Sequence, residues 1–194
     1  ASHPDRQVHN SLDDPYFQKH KLLSSIYRLA AFLGWLELYR QELTYLRSGQ
    51  TRHSKELESA VNLIRADLAD GQLNRASDWP AWRDTLIFRD ELRAIGEAMI
   101  ESRGGTRAVV GYGHFLEAIE CDGQNAVRRW VPVVENFLLD LETSRMDFRR
   151  IRLKRLIVHL IDLMNLLAAT SVEPWLSDER NRVHTELKSS PAPL

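Results

Sequence analysis

This chain is nearly without cysteine. Cys121 is the single one among 194 residues, so an intrachain disulfide is excluded and the fold must rest on burial and hydrogen bonding. A lone thiol makes the cytoplasm the default compartment. Long apolar runs are missing as well. The best stretch, Leu29 to Leu38, is broken by Gly34 and Glu37, and a bilayer-spanning helix needs roughly 18 apolar residues. Excess charge of one sign is missing too. A formal net charge of -1 gives no global field to collect nucleic acid or an anionic membrane, which leaves nucleic acid a disfavoured partner. Strand-like alternation of apolar and polar residues hardly occurs.

The chain opens Ala1-Ser2-His3-Pro4, without a methionine. A processed or excised form looks like this, and one reading that follows is a cytoplasmic domain tethered through an upstream membrane anchor.

What is present is helical periodicity. The pattern predicts an all-α antiparallel bundle of five to six main helices. Residues 1–13 read as a flexible N-terminal arm, 14–188 as one helical domain and 189–194 as a disordered tail. Asp14-Pro15 is a helix start, with a capping carboxylate followed by a proline whose missing N–H costs nothing there. Leu22, Ile26, Leu29, Leu33, Leu36, Leu43 and Leu46 then recur at helical steps to about Ser48-Gly49. Ser54 caps a second helix bearing Leu57, Val61, Ile64 and Leu68, with Gly71 as its stop. Asp78-Trp79-Pro80 begins a third, striped by Thr85, Phe88, Leu92, Ile95 and Met99 and ending at Gly104-Gly105.

Val127, Val131, Val134, Leu138 and Leu141 mark a further helix, with Pro132 inside the pattern as a kink or a first turn. The last long helix, about Arg145 to Ala169, keeps a heptad spacing through Met146, Leu153, Leu156, Leu160, Leu163 and Leu167, with Ile157 and Met164 alongside. Ser177 caps a short helix to about Lys188. Trp35, Trp79, Trp82, Trp130 and Trp175 are read mainly as wedges between helices.

The segment Thr106 to Phe115, TRAVVGYGHF, contains G-x-G after two valines. A dinucleotide fingerprint needs a third glycine to let the helix pack on its strand, and Leu116 holds that place. Val109, Tyr112, Leu116 and Ile119 are spaced as a helix stripe instead, so the segment is read as a junction between helices. No cofactor is expected. His114, Glu117 and Cys121 share one side of such a helix, but no second cluster completes a ligand set, and no metal is expected.

The chemistry-bearing cluster is basic. Arg145, Arg149, Arg150, Arg152, Lys154 and Arg155 crowd the start of the last long helix. Cations there oppose the helix dipole, so something outside the helix must compensate. Glu91 or Glu97 of the third helix is the expected counter-charge. A partner or anion site on Arg145, Arg149, Arg152, Arg155 and His159 is the functional reading of the same cluster. His159 and Asp162 stand at i, i+3, where a carboxylate can orient an imidazole.

Arg152 and His159 also fit the R-x4-6-H spacing of HEPN ribonucleases, helical bundles themselves, and in this pair alone the chain is similar to that family. The resemblance implies an RNA-directed nuclease acting through Arg152 and His159 across a dimer. Arg47–His53 and Arg107–His114 fit the same spacing. About two such matches arise by chance in a chain this rich in arginine and histidine. Leu153 also replaces the polar residue that usually follows the arginine. The chain is therefore assigned to no family. With no complete catalytic set and long apolar stripes, the leading expectation is a non-catalytic interaction or scaffold domain that binds a protein partner or self-associates.

Overall fold

The computed structural model describes residues 15–45, 52–69, 86–120, 125–139, 148–168 and 178–189. Among them are seven helices: α1 (Pro15–Tyr45), α2 (Arg52–Ala69), α3 (Arg89–Ala98), α4 (Tyr112–Glu120), α5 (Ala126–Leu138), α6 (Phe148–Ala168) and α7 (Asp178–Ser189). The strands are β1 (Ile100–Arg103) and β2 (Thr106–Val109), paired antiparallel with Ile100 opposite Val109 and Arg103 opposite Thr106. The class is all-α. The proposed arm, residues 190–194 of the proposed tail, Arg145, Cys121, Trp79, Trp82 and Trp175 lie outside the described residues, while Ser189, assigned to the tail, is the last residue of α7.

Helix α1 starts at Pro15, as Asp14-Pro15 demands, and runs unbroken through Gly34-Trp35. Its face of Ile26, Ala30, Leu33 and Leu36 is buried against α3 and α5. Ile64 and Leu68 of α2, Ile95 of α3 and Phe115 of α4 reach full or nearly full burial in the same core. Each such side chain contributes roughly 1.5–3 kcal/mol through loss of apolar surface to water. Helix α2 packs on α6, and α7 packs on α6 in turn. Helix α5 is capped by Asn125, whose side chain accepts from the Val127 N–H at 2.8 Å. Pro132 lies within α5 on an exposed position.

Four expectations are corrected here. The third helix does not run from residue 80 to Gly104. Residues 86–88 are non-helical, and α3 begins only at Arg89, where the Phe88 N–H is taken by the Glu91 carboxylate at 2.9 Å. Phe88 is therefore off the core stripe and exposed, while Ile87 takes the buried place beside it. Gly104 and Gly105 do not end a helix. Their φ angles of +56° and +83° build the two-residue turn of the β-hairpin, a conformation side-chain-bearing residues resist.

The third correction concerns Val109, which belongs to β2 rather than to a stripe extending into α4. The Val110 N–H closes the hairpin on the Met99 carbonyl at 2.8 Å, and the Tyr27 hydroxyl donates to the Val110 carbonyl at 3.2 Å. Helix α2 also starts at Arg52, two residues before the expected cap at Ser54.

The hairpin leans on α1 because α1 offers a glycine. A Cβ at Gly34 would stand 3.0 Å from the Met99 Cβ and 3.3 Å from both Val109 methyls. Gly96 is tighter still: a Cβ there would stand 2.7 Å from the Leu33 carbonyl oxygen of α1. These two glycines set the approach of α1 to α3 and the hairpin. Gly111 and Gly113 have nothing within 4 Å of such a Cβ, so they serve no close packing.

Candidate functional site

The basic start of α6 meets the carbonyl ends of two other helices. Arg149 Nη1 donates to the Asn136 and Leu139 carbonyls at 3.2 and 2.5 Å, the open C-terminal end of α5. Arg152 Nη1 donates to the Asp67 carbonyl at 2.7 Å, in the last turn of α2. The next carbonyl, that of Leu68, accepts from the Ile87 N–H at 3.1 Å. Helix C-termini carry about half a negative charge on unpaired carbonyls. Arginines at these ends satisfy those acceptors, and that compensates their poor position at the start of α6.

Glu91 and Glu97, the expected counter-charges, are used elsewhere. Glu91 caps α3, and Glu97 accepts from Arg93 Nε at 2.8 Å. Arg152 is fully buried, at 0% exposure. As placed, its guanidinium cannot reach a scissile phosphate, which is what the HEPN reading asks of it. Arg155 is exposed.

His159 pairs with Asp67, not with Asp162. Its Nδ1 lies 2.5 Å from Asp67 Oδ2. Burial pushes the Asp67 carboxyl above its ordinary value, against the pull of His159, Arg155 and Arg152. Asp162 faces α7, held by His184 Nε2 at 2.9 Å and Lys188 Nζ at 3.5 Å. His114 Nδ1 stands 3.5 Å from Glu101 Oε2 of β1. Among the described residues, no three histidine, cysteine, aspartate or glutamate side chains gather at metal-binding distance.

Thus Arg149, Arg152 and His159 converge on helix ends and one buried aspartate, and form a joint that ties α6 to α2 and α5. Sequence gave no sign of this, because main-chain carbonyls at a helix end carry no residue identity.

Helix α6 also presents a partly exposed apolar face. Ile157, Met164 and Leu167 are 41%, 44% and 46% exposed, while Leu153 and Leu160 are half-buried along the same line. The five residues are spaced four, three, four, three. Leu156 and Leu163 turn the other way, into the core. Among the described residues, no helix is long and apolar enough to cross a membrane.

A second cluster escaped the sequence reading. A cavity of about 210 Å³ between α1, α2 and α3 is lined by Glu37, Arg40, Arg65, Arg89, Asp90 and Arg93 over a floor of Leu33, Leu36 and Leu92. Glu37 is buried, and both its oxygens are engaged: Oε2 by Arg40 Nε at 2.8 Å, Oε1 by Arg40 Nη2 at 2.5 Å and Gln41 Nε2 at 2.7 Å. Burial pushes the Glu37 carboxyl up, but the bonds from Arg40 and Gln41 outweigh it and hold the group below its ordinary value. Comparison with protein-family models, curated proteins and solved structures gives no match.

Proposed function

We propose that this chain is a non-catalytic helical interaction module that pairs through α6 with a second copy of itself. The observation that carries this reading is the exposed trio Ile157, Met164 and Leu167, interleaved along one line with Leu153 and Leu160, which are half-buried and also touch the core. A four-three alternation is the spacing of a coiled-coil seam, in which apolar knobs of one helix fill holes of another. Such a seam is complementary to itself, so a two-fold dimer needs no second surface.

Charge favours the antiparallel arrangement. Leaving aside Arg149 and Arg152, which are tied to α5 and α2, the cations Arg150, Lys154 and Arg155 lie in the first half of α6, and its second half carries no lysine or arginine. Parallel pairing would stack like charges. Antiparallel pairing sets the basic half against the partner helix's C-terminal half and opposes the two helix dipoles. Leu160, the middle residue of the line, then lies at the two-fold axis.

Sedimentation equilibrium over a range of concentrations tests this. A reversible dimer is expected, and Ile157→Glu with Met164→Glu shifts it to monomer while the circular dichroism stays helical. A wild-type chain that remains monomeric at every concentration sinks the proposal.

A further inference from the structure

We propose that the cavity between α1, α2 and α3 is a binding site for a phosphate monoester with a compact apolar body, gripped by Arg65 and Arg93 with Arg40 and Arg89 beside them. It is independent of self-association, since the α6 line contributes nothing to this cavity.

Four guanidiniums and two carboxylates line the cavity, which leaves an excess of two positive charges. One of those carboxylates, Glu37, is already saturated by Arg40 and Gln41. Arg93 spends its Nε on Glu97, outside the cavity lining.

Arg65 is the residue the fold leaves unexplained. It is half-buried and makes no hydrogen bond or ion pair to any described residue. Burial, and the charges of Arg40 and Arg89 close by, push its guanidinium below its ordinary value, with only Glu37 opposing. A partly desolvated cation among like charges is a cost the fold bears, and an oxyanion removes it.

The ligand class follows from the walls. Guanidinium forks match the oxygens of phosphate in paired hydrogen bonds, and a lining with more cations than carboxylates suits an anion. The floor is apolar, made by Leu33, Leu36 and Leu92. A cavity of about 150 Å³ is enough to hold benzene. The space here therefore takes a phosphate and a small apolar group together. Free phosphate would use the arginines and leave the leucines unused.

The test is thermal melting and isothermal titration of the whole chain with inorganic phosphate and with phenyl phosphate, at ionic strength matched by sodium chloride. The expected result is a saturable rise in melting temperature with both, larger and at lower concentration for phenyl phosphate. Arg65→Gln abolishes both rises and, with no ligand added, melts at or above wild type because like-charge repulsion is relieved. Arg65→Lys keeps the charge, loses the paired geometry and retains only a weakened response.

Equal responses of wild type and Arg65→Gln would overturn the site. So would a shift that follows ionic strength without saturating, or a ligand-free Arg65→Gln that melts well below wild type, which would mark Arg65 as structural. Tighter binding of inorganic phosphate than of phenyl phosphate would overturn the monoester assignment.

Discussion

Arg152 of α6 donates from Nη1 to the Asp67 carbonyl of α2 at 2.7 Å, with the guanidinium wholly out of water. On the same aspartate, the side-chain oxygen lies 2.5 Å from His159 Nδ1. One residue near the end of α2 thus receives α6 twice, through its main chain and through its carboxylate. The joint explains how a helix that starts with so many cations is tolerated.

Arg152→Ala should therefore be strongly destabilising. Removing the donor leaves the buried Asp67 carbonyl without solvent or protein to satisfy it, a loss of about 1–3 kcal/mol to which the emptied space adds. Arg149→Ala takes away a more exposed cap on α5 and should cost about 1 kcal/mol. Urea denaturation of the two variants checks the order. A smaller loss for Arg152→Ala than for Arg149→Ala would contradict the joint.

The two buried carboxylates should respond to acid in opposite directions. Glu37 is held below its ordinary value of 4.5, so in the folded state it resists protonation. Its contribution to stability is complete above pH 4.5 and is lost as pH falls through the lowered folded value. Asp67 is raised above its ordinary 3.8. The cost of its buried charge is present above the raised folded value and is relieved as pH falls from there towards 3.8. Stability measured against pH should then lose part of its acid-side fall in Glu37→Gln. The same curve should become steeper above pH 3.8 in Asp67→Asn. Identical curves for wild type and both variants would show that neither group titrates differently on folding.

Glycine substitutions should separate by sign. Alanine in a helix interior ordinarily gains about 1 kcal/mol over glycine. At Gly96 the new Cβ would meet the Leu33 carbonyl oxygen at 2.7 Å, and backbone cannot swing aside. Overpacking of this kind costs about 1–3 kcal/mol, so Gly96→Ala should lower the melting temperature. Gly113→Ala meets open space and should leave it unchanged or raise it. Gly105→Ala has space but a φ of +83°, and should destabilise by about 1 kcal/mol through strain alone. Thermal melts of the three, side by side, check the ranking.

The α6 pairing makes a geometric prediction of its own. In a Cys121→Ser background, Leu160→Cys should form a symmetric intermolecular disulfide on mild oxidation. Leu153→Cys alone should not, while the mixture of Leu153→Cys and Leu167→Cys chains should cross-link. Efficient self-linking of Leu153→Cys would point to parallel helices instead.

Much of the helical framework can be read directly from residues. Pro15 opens α1, and the apolar spacing marks α2 and α6, because these features depend on neighbours a few positions away. The hairpin was also written in the chain, as Gly104-Gly105 between two short segments. It was obscured because its strands are only four residues long and one of them, Thr106–Val109, runs into a helix-like spacing. The break at residues 86–88 left no such mark, since Phe88 fits the helical period as well as Ile87 fits the core.

That the chain is α-helical, where its longest helices lie, and that α6 carries a heptad line are settled by residues a few positions apart. Those properties follow from local periodicity and capping chemistry. What the charges do depends on packing between helices. Arg149 and Arg152 found helix-end carbonyls instead of Glu91 and Glu97, His159 found Asp67 instead of Asp162, and Arg40, Arg65, Arg89 and Arg93 came together from three helices around one cavity. Partners of a charge are set by distance in space. Residues as far apart along the chain as Asp67 and His159 become neighbours only when the core between their helices has packed.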